Sequence, residues 1–139
     1  MGGDFHTNYR EENLISRLES SRQSAWDRQL SQLGELSDEV CRKLAMRLVE
    51  NNLIETDNLR DVEDQLAACL AELQQAEDFD IQYAISPFRS LVAKPNRISL
   101  YLTAFIVEKL INHRSVVDIF GTDEEIYETV NKEITRLIR

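Results

Sequence analysis

Few residues in this chain have the chemistry from which active sites are built. Cys41, Cys69, His6 and His113 are its only cysteines and histidines. The cysteines form no CxxC pair, and no Cys/His cluster has the spacing of a zinc site. Both cysteines fall on the apolar stripes of amphipathic segments, which reads as two small buried hydrophobes in a reducing compartment. His113 falls at the end of a helical segment, where an imidazolium suits the helix dipole. Nothing here points to a nucleophilic enzyme.

Carboxylates are plentiful, with 25 Asp and Glu against 16 Lys and Arg. Most fall on helical segments, where they form solvated faces. Asp123-Glu124-Glu125 reads as a helix start. The run around Glu77, Asp78 and Asp80 lacks the glycine and distal glutamate of a calcium loop. P-loop, GxGxxG, HExxH and GxSxG patterns are absent from the sequence. No metal and no cofactor is therefore expected, and the chain reads as a non-enzyme. A helical enzyme with a carboxylate site ranks third, since such residues would have to converge in space.

Basic residues are unevenly placed. Segment 38–85 holds 12 acids and 4 bases, net −8, whereas segment 86–114 holds 5 bases and 1 acid, net +4. Arg89, Lys94 and Arg97 cluster at the entrance to a helix, where free amides and the dipole would favour a bound phosphate. They are the candidate anion-binding residues. A nucleic-acid-binding regulator using segment 86–114 is the alternative function, opposed by the overall charge of −9. The structural alternative is that this basic segment relieves the self-repulsion of the acidic helices before it.

Trp26 is the single tryptophan. With Leu30 and Leu33 it lies on the stripe of a long first helix, at 9–33. A helix of that length outruns a compact body of this size, so Trp26, Leu30 and Leu33 are the candidate partner-binding residues. The expected partner is a protein, and first of all a second copy of the chain, as a homodimer.

The elements that would position these residues are helical. After an expected flexible tail at 1–8, apolar residues recur at steps of three, four and seven through five segments. The first ends at Gly34, read as a C-cap. The second runs from a Ser37 cap to about Asn52, and the third from Thr56 or Asp57 to about Ala76. Phe79, Ile81, Tyr83 and Ile85 then alternate at period two, a strand signature. Its only candidate partner strand is Ser115 to Phe120. Otherwise the segment is an extended linker whose aromatics plug the core. Ser86-Pro87 opens a short helix, Asn96 caps a fourth long one at 97–113, and Thr122 with Glu125 forms a capping box for the last. Leu48-Val49-Glu50-Asn51 resembles Ile106-Val107-Glu108-Lys109, each followed by a Leu-Ile turn, as in two related hairpins.

The expected fold is all-α, a five-helix bundle of two helical hairpins plus a long N-terminal helix, with a minor extended or two-stranded element. It occupies one domain, residues 9–139. The opening residues lack the basic and apolar regions of a signal peptide, and the longest apolar run is far shorter than the ~20 residues of a membrane span. A cytoplasmic protein with no membrane contact is expected. The first functional reading is a small helical interaction or regulatory protein.

Overall fold

The computed structural model describes the backbone of residues 2–138 and the side chains of residues 17, 20–110 and 112–138. It is mostly helical, with six α-helices and a small two-stranded antiparallel sheet among the described residues. Among the described residues no helix is long and apolar enough to cross a membrane.

Helix α1 (Gly2–Glu35) begins earlier than its apolar stripe suggests and is about 51 Å long at 1.5 Å per residue. Leu14 and Leu18 of that stripe lie outside the described side chains. From Ser20 to Ser24 every side chain is exposed, and packing onto the core starts with Trp26, Leu30, Leu33 and Leu36. Gly34 does not cap the helix: no glycine among the described residues takes a positive φ, and α1 continues to Glu35. Nor does Ser37 cap α2 (Ser37–Glu50). Leu36 holds that place at φ −101°, ψ 11° with no side-chain bond. The hydrogen bonds Leu36 N–H to Gln32 O at 3.0 Å and Val40 N–H to Leu36 O at 2.9 Å carry the chain through the junction, so the cap residues are redundant.

Next come β1 (Ile54–Thr56) and α3 (Leu59–Gln75), whose cap is Asn58, its side chain accepting from Asp61 N–H at 3.2 Å. In α4 (Asp78–Ile85) the structure departs most from the sequence reading. This segment is neither a strand nor an extended linker. Two residues advance a helix by about 200°, so a four-member alternation also sorts into two opposite helical faces. Ile81 and Ile85 take the core face, while Phe79 and Tyr83 plug nothing and stand in solvent.

A 3-10 turn at Ser86–Phe88, with Pro87 in its first positions, leads toward α5 (Arg97–Glu108). Asn96 caps α5 by accepting from Ser99 N–H at 3.1 Å. A second 3-10 turn, Leu110–Asn112, takes the place of the expected last turn of this helix. Then follow β2 (Val116–Ile119) and α6 (Asp123–Leu137), opened by the capping box of Thr122 and Glu125. The partner of β2 is β1, with Ile54 opposite Ile119 and Glu55 opposite Asp118.

Each half of the fold is thus a helix–strand–helix unit, α2-β1-α3 and α5-β2-α6, joined through their strands. Within each unit the two helices pack on each other, and α2 also packs on α6. The core contains Leu44, Leu48, Leu66, Leu70, Leu102, Ile106, Val130 and Ile134, all at or near zero exposure. Leu53 seals the seam between units. Its carbonyl accepts from Phe120 N–H at 2.8 Å and Gly121 N–H at 3.3 Å.

Candidate protein-binding face

The N-terminal end of α4 lies beside α1 and the start of α5. There the Arg97 guanidinium stacks on Trp26, its Cζ 4.8 Å from the ring centroid. Arg97 Nη1 also donates to Asp78 Oδ1 at 3.2 Å. Each element supplies one member: α1 brings Trp26 on its core-facing stripe, α4 brings Asp78 in its first turn, and Asn96 starts α5 one residue before Arg97. Together with Arg22, Gln23 and Gln29 they line an open cavity of about 520 Å³. Trp26 is half-buried, packed against the core on one side and lining this cavity on the other.

From the edge of this cavity α4 presents its outer face. Phe79 is 76% exposed and Tyr83 78%. They stand one turn apart (i, i+4) and so form a single aromatic ridge. Glu77, Asp78 and Asp80, all exposed, surround its N-terminal end. Single exposed apolar residues are ordinary, but two adjacent aromatics on a helix already anchored by Ile81 and Ile85 are a second apolar face.

The structure redistributes the residues singled out in the sequence. Trp26 and Arg97, assigned there to separate sites, belong to one cluster. Leu30 is half-buried against the core, and Leu33 is fully buried within it, so Leu33 is not offered to a partner. The stripe it belongs to is used up inside the protein because α1 packs by this end on α2 and α3. Arg89 and Lys94 are exposed and do not line the cavity at Arg97. The amide position suited to a phosphate at the α5 N-terminus is taken by Asn96, while Asn96 N–H donates to Tyr127 Oη at 2.9 Å. Of the three bases, only Arg97 lines this cavity. The ion pair of Arg97 with Asp78 joins the basic segment to the acidic one.

Phe79 and Tyr83, expected on a strand or in the core, form an exposed helical face instead. Their signal was the competing i, i+4 spacing of both pairs, 79/83 and 81/85, in a segment too short for period two to exclude a helix.

No protein-family model, curated protein or solved structure matches this chain. Its site must be read from its own geometry. No group of three or more potential metal ligands occurs among the described residues. Cys41 and Cys69 are buried free thiols. Burial pushes the Cys41 thiol up to about 11 and that of Cys69 higher still, which keeps both protonated and unreactive at neutral pH.

Proposed function

We propose that this protein is a non-catalytic interaction module. It docks a basic helical segment of a partner protein on the outer face of α4 and the adjoining Trp26–Arg97 cavity. The observation that carries this reading is the exposure of Phe79 and Tyr83 on a helix whose opposite face is locked in the core.

The magnitudes fit reversible binding. Two rings of this size, mostly exposed, offer on the order of 300 Å². At ~25 cal/mol per Å² their burial is worth roughly 7 kcal/mol gross. Association itself costs about 4–15 kcal/mol. The ridge alone does not hold a partner, so the cavity at Trp26 and the surrounding charges must contribute. Tryptophan and arginine are the residue types most enriched at binding hot spots.

Glu77 and Asp80 select a basic partner, as does the net charge of −8 over segment 38–85. A second copy of the chain suits this face less well, because a two-fold pairing would set the same carboxylates against each other. Self-association through α1 loses Leu33, which is fully buried, and retains Trp26 and Leu30, both half-buried. The nucleic-acid reading has less support: of the five bases of segment 86–114 Arg97 is paired, and Arg89, Lys94, Lys109 and Arg114 neutralise few phosphates.

The test is a titration with a tryptophan-free amphipathic peptide of leucine and lysine, read by the fluorescence of Trp26. The expected result is saturable binding that weakens with salt and is lost in the Phe79→Ser, Tyr83→Ser double variant. Equal binding by that variant, or no saturable binding to the native chain, would overturn the proposal.

A further inference from the structure

We infer that the docking helix carries basic residues along one flank of its apolar stripe and acidic residues along the other, so that it lies on α4 in one direction only. This rests on α4 being a docking face, and adds that the face is electrically two-sided.

At about 100° per residue, the ridge of Phe79 and Tyr83 points ~120° from Asp78 on one side and ~120° from Ala84 on the other. Asp78 turns toward α1 and the Trp26 cavity. Ala84 turns toward α3 and α5, where it lines a narrow cleft with Glu72, Tyr101, Phe105, Glu108 and Lys109. Asp80 belongs to that second side. The Tyr101 phenol is held above its ordinary value first by burial, and then by the neighbouring Cys69, Glu72 and Asp80.

The two sides carry opposite charge. Toward α1, Arg22 and Arg97 line the cavity against one carboxylate, Asp78, net +1, and Arg97 Nη1 already engages that carboxylate at 3.2 Å. Toward α3 and α5, the exposed Glu72, Asp80 and Glu108 stand against Lys109, net −2. The half-buried Tyr101 and Phe105 among them give the stem of a lysine or arginine an apolar track. A helix with bases on both flanks sets some of them against Arg22. One with acids on both flanks sets some against Glu72 and Glu108. A charge-split helix satisfies both sides, and turning it end for end exchanges its flanks, so charge fixes its direction.

The experiment uses two tryptophan-free amphipathic leucine peptides of equal net charge. One has lysines along one flank and glutamates along the other, and the second has these flanks exchanged. Each carries a nitroxide at its N-terminus and is titrated into the isotope-labelled protein. The nitroxide should broaden the amides at 77–80 with one peptide and those at 84–88 with the other. Exposed ion pairs are individually weak, so the preference for one direction should be about fivefold in low salt and should fade as salt is added. The variant Arg22→Glu, Glu72→Lys, Glu108→Lys, changed only at exposed positions, should reverse the direction of both peptides. The inference alone is overturned if the leucine–lysine peptide binds at Phe79 and Tyr83 but the two split peptides fail to bind, lie both ways equally, or keep their direction in the charge-reversed variant. If no peptide shifts 77–83, the docking face itself is refuted and the inference falls with it.

Discussion

The Arg97 guanidinium lies 4.8 Å from the centroid of the Trp26 ring, on the side chain's way to Asp78. This stack joins α1 to the body of the protein at the edge of the proposed binding face. Arg97→Ala should cost about 1 kcal/mol in chemical denaturation, the scale of a cation–π contact at a partly exposed site. Asp78→Asn, at 72% exposure, should change stability by less than about 0.5 kcal/mol. A larger effect from Asp78 than from Arg97 would show that the ion pair rather than the stack holds the helices.

The two faces of α4 should separate cleanly by mutation. Ile81→Ala should cost about 2–4 kcal/mol, because Ile81 is 1% exposed and leaves a cavity. Phe79→Ser with Tyr83→Ser should leave the denaturation midpoint within about 0.5 kcal/mol of the native value. The same contrast applies in the central core. Leu66→Ala and Ile106→Ala, both at 0% exposure, should each cost about 2–5 kcal/mol, and Glu63→Ala about 0.5 kcal/mol or less.

How much of this was legible in the sequence can be judged from particular elements. The capping box at Thr122 and Glu125 and the Asn96 cap are local devices, so residue identity alone located them. The stripes of α2, α3 and α6 follow from 3.6-residue periodicity. The division of α1 from α2 falls within two residues of the expected place, but Gly34 and Ser37 do not cap, since the continuous hydrogen bonds make their services unnecessary. The pairing of β1 with β2 joins residues far apart in the chain, and three residues of β1 leave no periodic signal. Trp26 and Arg97 were each noticed, but only tertiary packing brings them together. The Arg47–Glu133 pair, at 3.1 Å between α2 and α6, was not noticed at all, since a buried glutamate on a charged helix looks like any other acid of that helix.

A cramped glycine gives a further check. A Cβ on Gly121 would lie 2.5 Å from Leu53 Cδ2 and 3.3 Å from Leu53 Cβ. Leu53 is 4% exposed and has little room to retreat. Gly121→Ala should therefore destabilise the protein by about 1–3 kcal/mol, by overpacking, as measured by thermal melting. A neutral outcome would mean that the seam between the two units is looser than described.

The thiols predict a pH dependence. Burial raises Cys41 from 9.0 to about 11, with Cys69 shifted further in the same direction. The folded state thus holds these protons more tightly than the unfolded state. Their contribution to stability is complete below pH 9.0 and is lost as the pH rises through about 11. Melting temperatures should fall over that window, and Cys41→Ala with Cys69→Ala should flatten the fall. A thiol reagent at neutral pH should label the native protein only at its unfolding rate. Prompt labelling would contradict the burial of both sulfurs.

The central claim is that α4 binds a partner through its outer face. Its most direct test is to map the contact of the leucine–lysine peptide by amide and indole shifts in the isotope-labelled protein. The account predicts shifts concentrated at 77–83 and at the Trp26 indole, with α2 and α6 undisturbed. Shifts that leave Phe79, Tyr83 and Trp26 unmoved, or that spread evenly over every acidic surface, would contradict it.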